Sequence, residues 1–160
     1  MLKSILANQA EITLYCFLGE AIYKTQVVEQ ALSYTITLKM SPSSTQEEAD
    51  QYLEKQLTYT LGKAVHLSEK ENLFPPSLKK ALIAFLDQRN WLVHKAMADS
   101  RTFMNTEFDK EKFFQKIKSI SKEAEILHHL IEVDLVEFCE ARGRKMSKAR
   151  AIINARCVVQ

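Results

Sequence analysis

Glycine, proline and cysteine each occur only three times in this 160-residue chain, and there is a single tryptophan. So few breakers cannot supply the many turns of an all-β fold, which leaves long helices as the expectation. The longest apolar stretch without a charge is Ile12 to Gly19, far short of the roughly 20 residues that span a bilayer. Met1-Leu2-Lys3-Ser4-Ile5-Leu6 lacks the apolar core and small-residue cleavage site of a secretory signal. Cys16, Cys139 and Cys157 are odd in number, far apart and without paired-ligand spacing. They are expected to be reduced thiols of a cytoplasmic protein, neither a disulfide framework nor a zinc site. No glycine-rich phosphate loop is present, which excludes a P-loop nucleotide hydrolase.

What is present is an ordinary globular composition, 46% hydrophobic and 26% charged, with enough chain for one core. The net charge of +2 is unevenly spread. Arg142, Arg144, Lys145, Lys148, Arg150 and Arg156 follow the last acid, Glu140, so the preceding chain holds 16 basic against 20 acidic residues. Arg142, Arg144, Lys145 and Lys148 are candidate contacts to RNA phosphates. The same cluster also reads as a solvated last helix balancing an acidic body.

The pattern predicts an all-α antiparallel bundle of four or five helices. Residues 1–142 form the bundle domain, and 143–160 a short basic C-terminal helix or tail packed on or extending from it. Asn8 and Glu11 have capping-box spacing, opening a helix to about Lys39 with Leu14, Leu18, Ile22, Val28, Leu32 and Ile36 along one stripe. Met40-Ser41-Pro42-Ser43-Ser44 breaks it. Thr45 then caps a second helix to about Glu69, in which Gly62 is expected to permit close approach of a neighbour. Pro75-Pro76 starts a third helix ending near Ala98-Asp99-Ser100. Thr106 or Asp109 caps a fourth, whose seam is Phe113, Ile117, Ile120, Ala124, Leu127, Ile131 and Phe138, with Asp134 as its polar interruption. Gly143 ends that helix, and a basic helix from about Ser147 closes the chain.

The third helix carries the informative motif, Arg89-Asn90-Trp91-Leu92-Val93-His94. Its stripe runs Leu78, Leu82, Phe85, position 89, Leu92, Ala96, so an arginine is aimed at the buried face. A guanidinium there must meet a carboxylate, an anionic ligand or a wet cleft. Asn90 and His94 lie about 100° and 140° round the helix from it. Trp91 projects opposite the stripe, which calls for a second packing surface, either neighbouring helices or another subunit.

Arg-Asn followed by three residues and His, on a long bundle helix, resembles the signature of the HEPN superfamily (higher eukaryotes and prokaryotes nucleotide-binding). Many members are metal-independent ribonucleases of toxin–antitoxin, phage-defence and RNA-processing systems. The motif covers six residues, while the helical frame covers most of the chain. The resemblance implies a homodimer that juxtaposes two motifs, RNA as substrate, no metal or other cofactor and, for a toxin, a cognate antitoxin protein. It implies that Arg89, Asn90 and His94 are catalytic. His94 would transfer protons during attack of a ribose 2′-OH on the adjacent phosphate. Arg89 would stabilise charge on the phosphoryl oxygens, and Asn90 would orient His94 or a phosphate oxygen.

A structural reading of the same residues is equally concrete. Arg89 would pair with a buried acid, Glu29 being the candidate, and His94 would cap or hydrogen-bond the backbone near the helix end. Some superfamily members are non-catalytic binding modules, and an unrelated bundle would use these residues in the same way. Elsewhere, His128-His129 is a poor metal pair because adjacent helical residues point about 100° apart; Glu125 and Glu132 could face either histidine at helical spacing, as on any solvated polar face. His66 reads as a cation near a helix C-terminus. Phe113-Phe114 and Tyr15-Cys16-Phe17 read as core.

Overall fold

A computed structural model of the chain describes residues 7–40, 45–103 and 105–157. Seven helices and no strand make up these described residues: α1 (Gln9–Met40), α2 (Gln46–Leu57), α3 (Leu61–Lys70), α4 (Pro76–His94), α5 (Ala96–Phe103), α6 (Glu107–Glu140) and α7 (Ser147–Cys157).

The helix starts follow the expected chemistry. The Asn8 backbone N–H donates to Glu11 Oε2 at 2.8 Å, and Glu11 N–H donates to Asn8 Oδ1 at 3.0 Å, a reciprocal capping box. Thr45 accepts from Glu48 N–H at 3.3 Å, and Thr106 accepts from Asp109 N–H at 3.1 Å. Pro76 occupies the first turn of α4, where no helical donor is lost. The break at 41–44 lies outside the described residues.

The expected second helix is two helices. Thr58 turns its hydroxyl back onto Lys55 O at 2.7 Å and ends α2, and Thr60 accepts from Lys63 N–H at 3.4 Å and starts α3. Threonine side chains offer the backbone local partners in place of helical ones, and the two together outweigh continuation. Gly62 has another outcome than expected. A Cβ built there would meet Leu86 Cδ1 of α4 at 3.6 Å, an ordinary contact, so helix approach does not require the glycine. The third helix is likewise interrupted, at Lys95, and α5 continues beyond it.

The main core cluster joins α1, α3, α4 and α6. Ala21, Val28, Leu32 and Ile36 of α1 face Leu61 and Val65 of α3, Leu82 and Phe85 of α4, and Ile117, Ala124 and Ile131 of α6. Each large side chain so buried contributes about 1.5–3 kcal/mol. Ile22, expected in the stripe, is 37% exposed, and Ala21 and Thr25 occupy that turn of the core instead. Thr25 is accommodated because its hydroxyl donates to Ala21 O at 2.8 Å. Tyr15 and Cys16 also face outward, whereas Phe17 packs edge-on against Phe114.

Topology follows from cross-helix pairs. Glu20 meets Ser121, Lys24 meets Glu125, and Lys39 meets Asp134, so α1 and α6 run parallel. Helix α4 runs against both, pairing Arg89 with Glu29 of α1, Gln88 with Glu123 of α6 and Trp91 with Phe113. The seam's polar interruption, Asp134, is taken up by Lys39, whose Nζ also donates to Leu73 O at 2.8 Å and lies over the Phe74 and Phe138 rings. Burial holds the Asp134 carboxyl above the ordinary carboxylate range, against the opposing pull of Lys39.

Gly143 adopts a φ of +78°, the left-handed conformation that favours glycine after a helix end. The chain then folds α7 back onto α6. Ile153 is buried there, and Arg150 and Arg156 pair with Glu140 and Glu132. No helix is long and apolar enough to cross a membrane among the described residues.

Candidate functional site

The Arg-Asn-x-x-x-His segment forms the last turns of α4. Antiparallel packing of α4 on α1 sets Arg89 opposite Glu29, and Arg89 Nε donates to Glu29 Oε1 at 2.9 Å. Their side chains are 18% and 25% exposed, so the pair sits at the edge of the core. The expected carboxylate is therefore Glu29. A second guanidinium nitrogen, Nη1, donates to Asn90 Oδ1 at 3.4 Å, while Nη2 has no partner among the described residues. One carboxylate and one amide hold the guanidinium, leaving part of its fork for another acceptor.

Asn90 and His94 are exposed one turn apart on the same face. The His94 side chain makes no hydrogen bond or ion pair among the described residues. It does not cap α4: the helix end is closed by Lys95 N–H donating to Trp91 O at 2.8 Å. Val93 and Met97 add exposed apolar surface beside it.

Trp91 finds its second packing surface within the chain. Its indole Nε1 donates to Asp99 Oδ2 of α5 at 2.8 Å, its ring meets Phe113 of α6 edge-on, and Lys116 Nζ lies 3.5 Å from the ring centroid. Of the two expected alternatives, neighbouring helices provide the cover. Trp91 is thus no argument for a second subunit.

A cleft of about 350 Å³ opens on the other side of Glu29, between α1 and the α2–α3 connection. Tyr23, Gln26, Glu29, Gln30, Ser33 and Tyr59 line it. Sequence reading did not single it out. Tyr59 lies in a turn that only the folded chain brings to α1, and its one visible signal was an exposed-side tyrosine at position 23.

The basic residues 142–148 lie elsewhere. From the level of Glu123, which pairs with Gln88, α6 runs about 25 Å further before it ends, at 1.5 Å per residue. Arg144, Lys145 and Lys148 are exposed beyond that point, and Arg142 lies over the Phe138 ring at 4.0 Å. The structure therefore does not bring Arg142, Arg144, Lys145 or Lys148 to the α4 motif within one chain.

No group of three or more His, Cys, Asp or Glu side chains with metal-binding geometry occurs among the described residues. His128 faces Glu132 at 3.5 Å, and Arg156 shares that carboxylate. His66 is exposed on α3. Cys16 is an exposed free thiol and Cys139 a buried one, and the side chain of Cys157 lies outside the described ones. No protein-family model, curated protein or solved structure matches the chain.

Proposed function

We propose that this chain is a HEPN-like, metal-independent endoribonuclease of toxin or defence type, acting as a homodimer. The observation that supports it is His94, an exposed histidine with no bonding partner among the described residues, beside Asn90 and an arginine already fixed in place by Glu29. A histidine with no structural bond to satisfy, next to a pre-oriented guanidinium, is suited to proton transfer at a phosphate.

In this reading the ribose 2′-oxygen attacks the adjacent phosphorus as its proton is withdrawn, and the bond from phosphorus to the 5′-oxygen breaks as that oxygen gains a proton. One motif histidine accepts the first proton, and the partner subunit's equivalent supplies the second. Arg89 stabilises the charge that builds on the non-bridging oxygens. The products are a 2′,3′-cyclic phosphate and a 5′-hydroxyl. The protein would act in the cytoplasm, and a toxin of this kind would be held in check by a cognate antitoxin protein.

A second reading has its own support. The Arg89–Glu29 ion pair is also what a non-catalytic dimeric binding module would use to tie α4 to α1. Incubation of the purified protein with mixed RNA and EDTA, followed by product-end analysis, separates the two. Cyclic-phosphate ends are expected, and intact RNA at every protein concentration would leave the binding module as the better account. Light scattering should give about twice the chain mass of 18.4 kDa.

A further inference from the structure

The geometry points to the cleft between α1 and the α2–α3 connection as a nucleobase subsite, in which Tyr23 and Tyr59 stack a base of single-stranded RNA beside the Arg89–Glu29 pair. This rests on the ribonuclease reading and names where its substrate is held.

The chemistry of the lining carries the assignment. Tyr23 is 66% exposed on a long helix whose core stripe makes no use of it. Tyr59 is half-buried in the turn opposite, with Lys63 Nζ 3.7 Å from its ring centroid. Two tyrosine rings at the walls of one cleft offer flat apolar surface to a flat ligand, and stacking of this kind accepts any base. The lining also contains the carboxamides of Gln26 and Gln30, neither of which has a hydrogen-bond partner among the described residues. A carboxamide presents one acceptor and two donors, the complement of a base edge. The volume of about 350 Å³ lies in the range of small-ligand sites.

The carboxylate in the lining, Glu29, is paired with Arg89, and Lys63 lies over the Tyr59 ring. Two other clefts match this chemistry less well. One, at the N-terminal end of α1 against α5, contains a single aromatic ring, and the groove of Ala81, Phe85, Ile126 and Leu130 is almost wholly apolar.

The test measures binding apart from cleavage. Fluorescein-labelled hexauridylate is titrated with full-length His94→Ala protein, and anisotropy gives the Kd. Adding Tyr23→Ala or Tyr59→Ala is expected to weaken binding about 5- to 150-fold per ring. Tyr23→Phe and Tyr59→Phe keep the ring and should stay within about twofold of the parent. Thermal melts of each variant separate loss of stacking from loss of fold. Well-folded alanine variants that bind hexauridylate as tightly as the parent would overturn the subsite, even if the wild-type protein cleaves RNA. Ring-dependent binding with no cleavage by wild type would leave the subsite standing and remove the ribonuclease reading. Loss of affinity in the phenylalanine variants as great as in the alanine ones would also count against stacking.

Discussion

The Arg89–Glu29 pair can be weighed separately from any catalysis. Replacing Arg89 by Met keeps much of the aliphatic stem that packs beside the core, and removes only the guanidinium. Glu29, three-quarters buried, then loses its ion-pair partner. A fully exposed pair contributes about 0–1 kcal/mol, whereas breaking a buried one costs about 3–5 kcal/mol. At 18% and 25% exposure the expected cost lies between, about 2 kcal/mol. For a domain of this size that lowers Tm by about 4–8 °C. Glu29→Met should cost less, about 1 kcal/mol, because the long arginine side chain can swing its head into water. The double variant should be more stable than the sum of the two losses allows, by about 1–2 kcal/mol, since neither charge is then orphaned. Thermal and urea unfolding followed by circular dichroism measure all four proteins. Losses that add to within about 0.3 kcal/mol would refute the coupling, and with it the claim that Glu29 fixes the guanidinium.

Three further outcomes are expected. His94→Ala should melt within about 1 kcal/mol of wild type, having no bond to lose, while RNA cleavage falls at least about a hundredfold; a markedly destabilised variant would make His94 structural. Gln56 is buried with its Oε1 unpaired among the described residues, so Gln56→Met should raise stability by about 1 kcal/mol in urea unfolding, and a loss would reveal a partner for that oxygen. Lys39→Met leaves Asp134 charged beside Phe138 and should cost about 3–5 kcal/mol at neutral pH. Burial already sets the Asp134 carboxyl above its ordinary value, so the folded state binds its proton more readily than the unfolded chain does. Stability from this group is therefore lost as pH rises through its folded-state value and regained below it. The variant should recover part of its Tm on acidification, and a flat difference across that range would contradict the assignment.

Much of the frame was legible in the sequence because its signals are local. Asn8 with Glu11, Thr45, Pro76 and Thr106 mark helix starts within one turn of chain, and each performs that role. Arg89 was legible for the opposite reason: a charge in an apolar stripe demands a partner, and Glu29 directly follows the apolar Val27-Val28 of the first helix. The break at Thr58–Thr60 was not, since hydrophobic periodicity passes through it and only competing side-chain bonds decide the outcome. The cover over Trp91 was not legible either. Periodicity tells which side of α4 the indole faces, but not that α5 folds back to offer Asp99 or that α6 presents Phe113 and Lys116. The tyrosine cleft joins positions 23 and 59 across a turn, a relation that no local pattern encodes.

The parallel course of α1 and α6 bears on how the protein is made. Contacts between them, such as Glu20 with Ser121 and Lys39 with Asp134, join residues 101 and 95 positions apart. A ribosome adding roughly 5–20 residues per second needs about 5–20 s to produce that intervening length. During that interval α1 has emerged with Leu14, Leu18, Val28 and Leu32 uncovered by the helix that later buries them. Helices α3 and α4 arrive in between and can shelter part of the stripe, but the N-terminal part, Leu14 and Leu18, lies alongside α5 and α6 and waits longest. The nascent chain is therefore most prone to aggregation, and most open to chaperone binding, at its first helix, and a stalled product ending before residue 107 would keep that surface exposed.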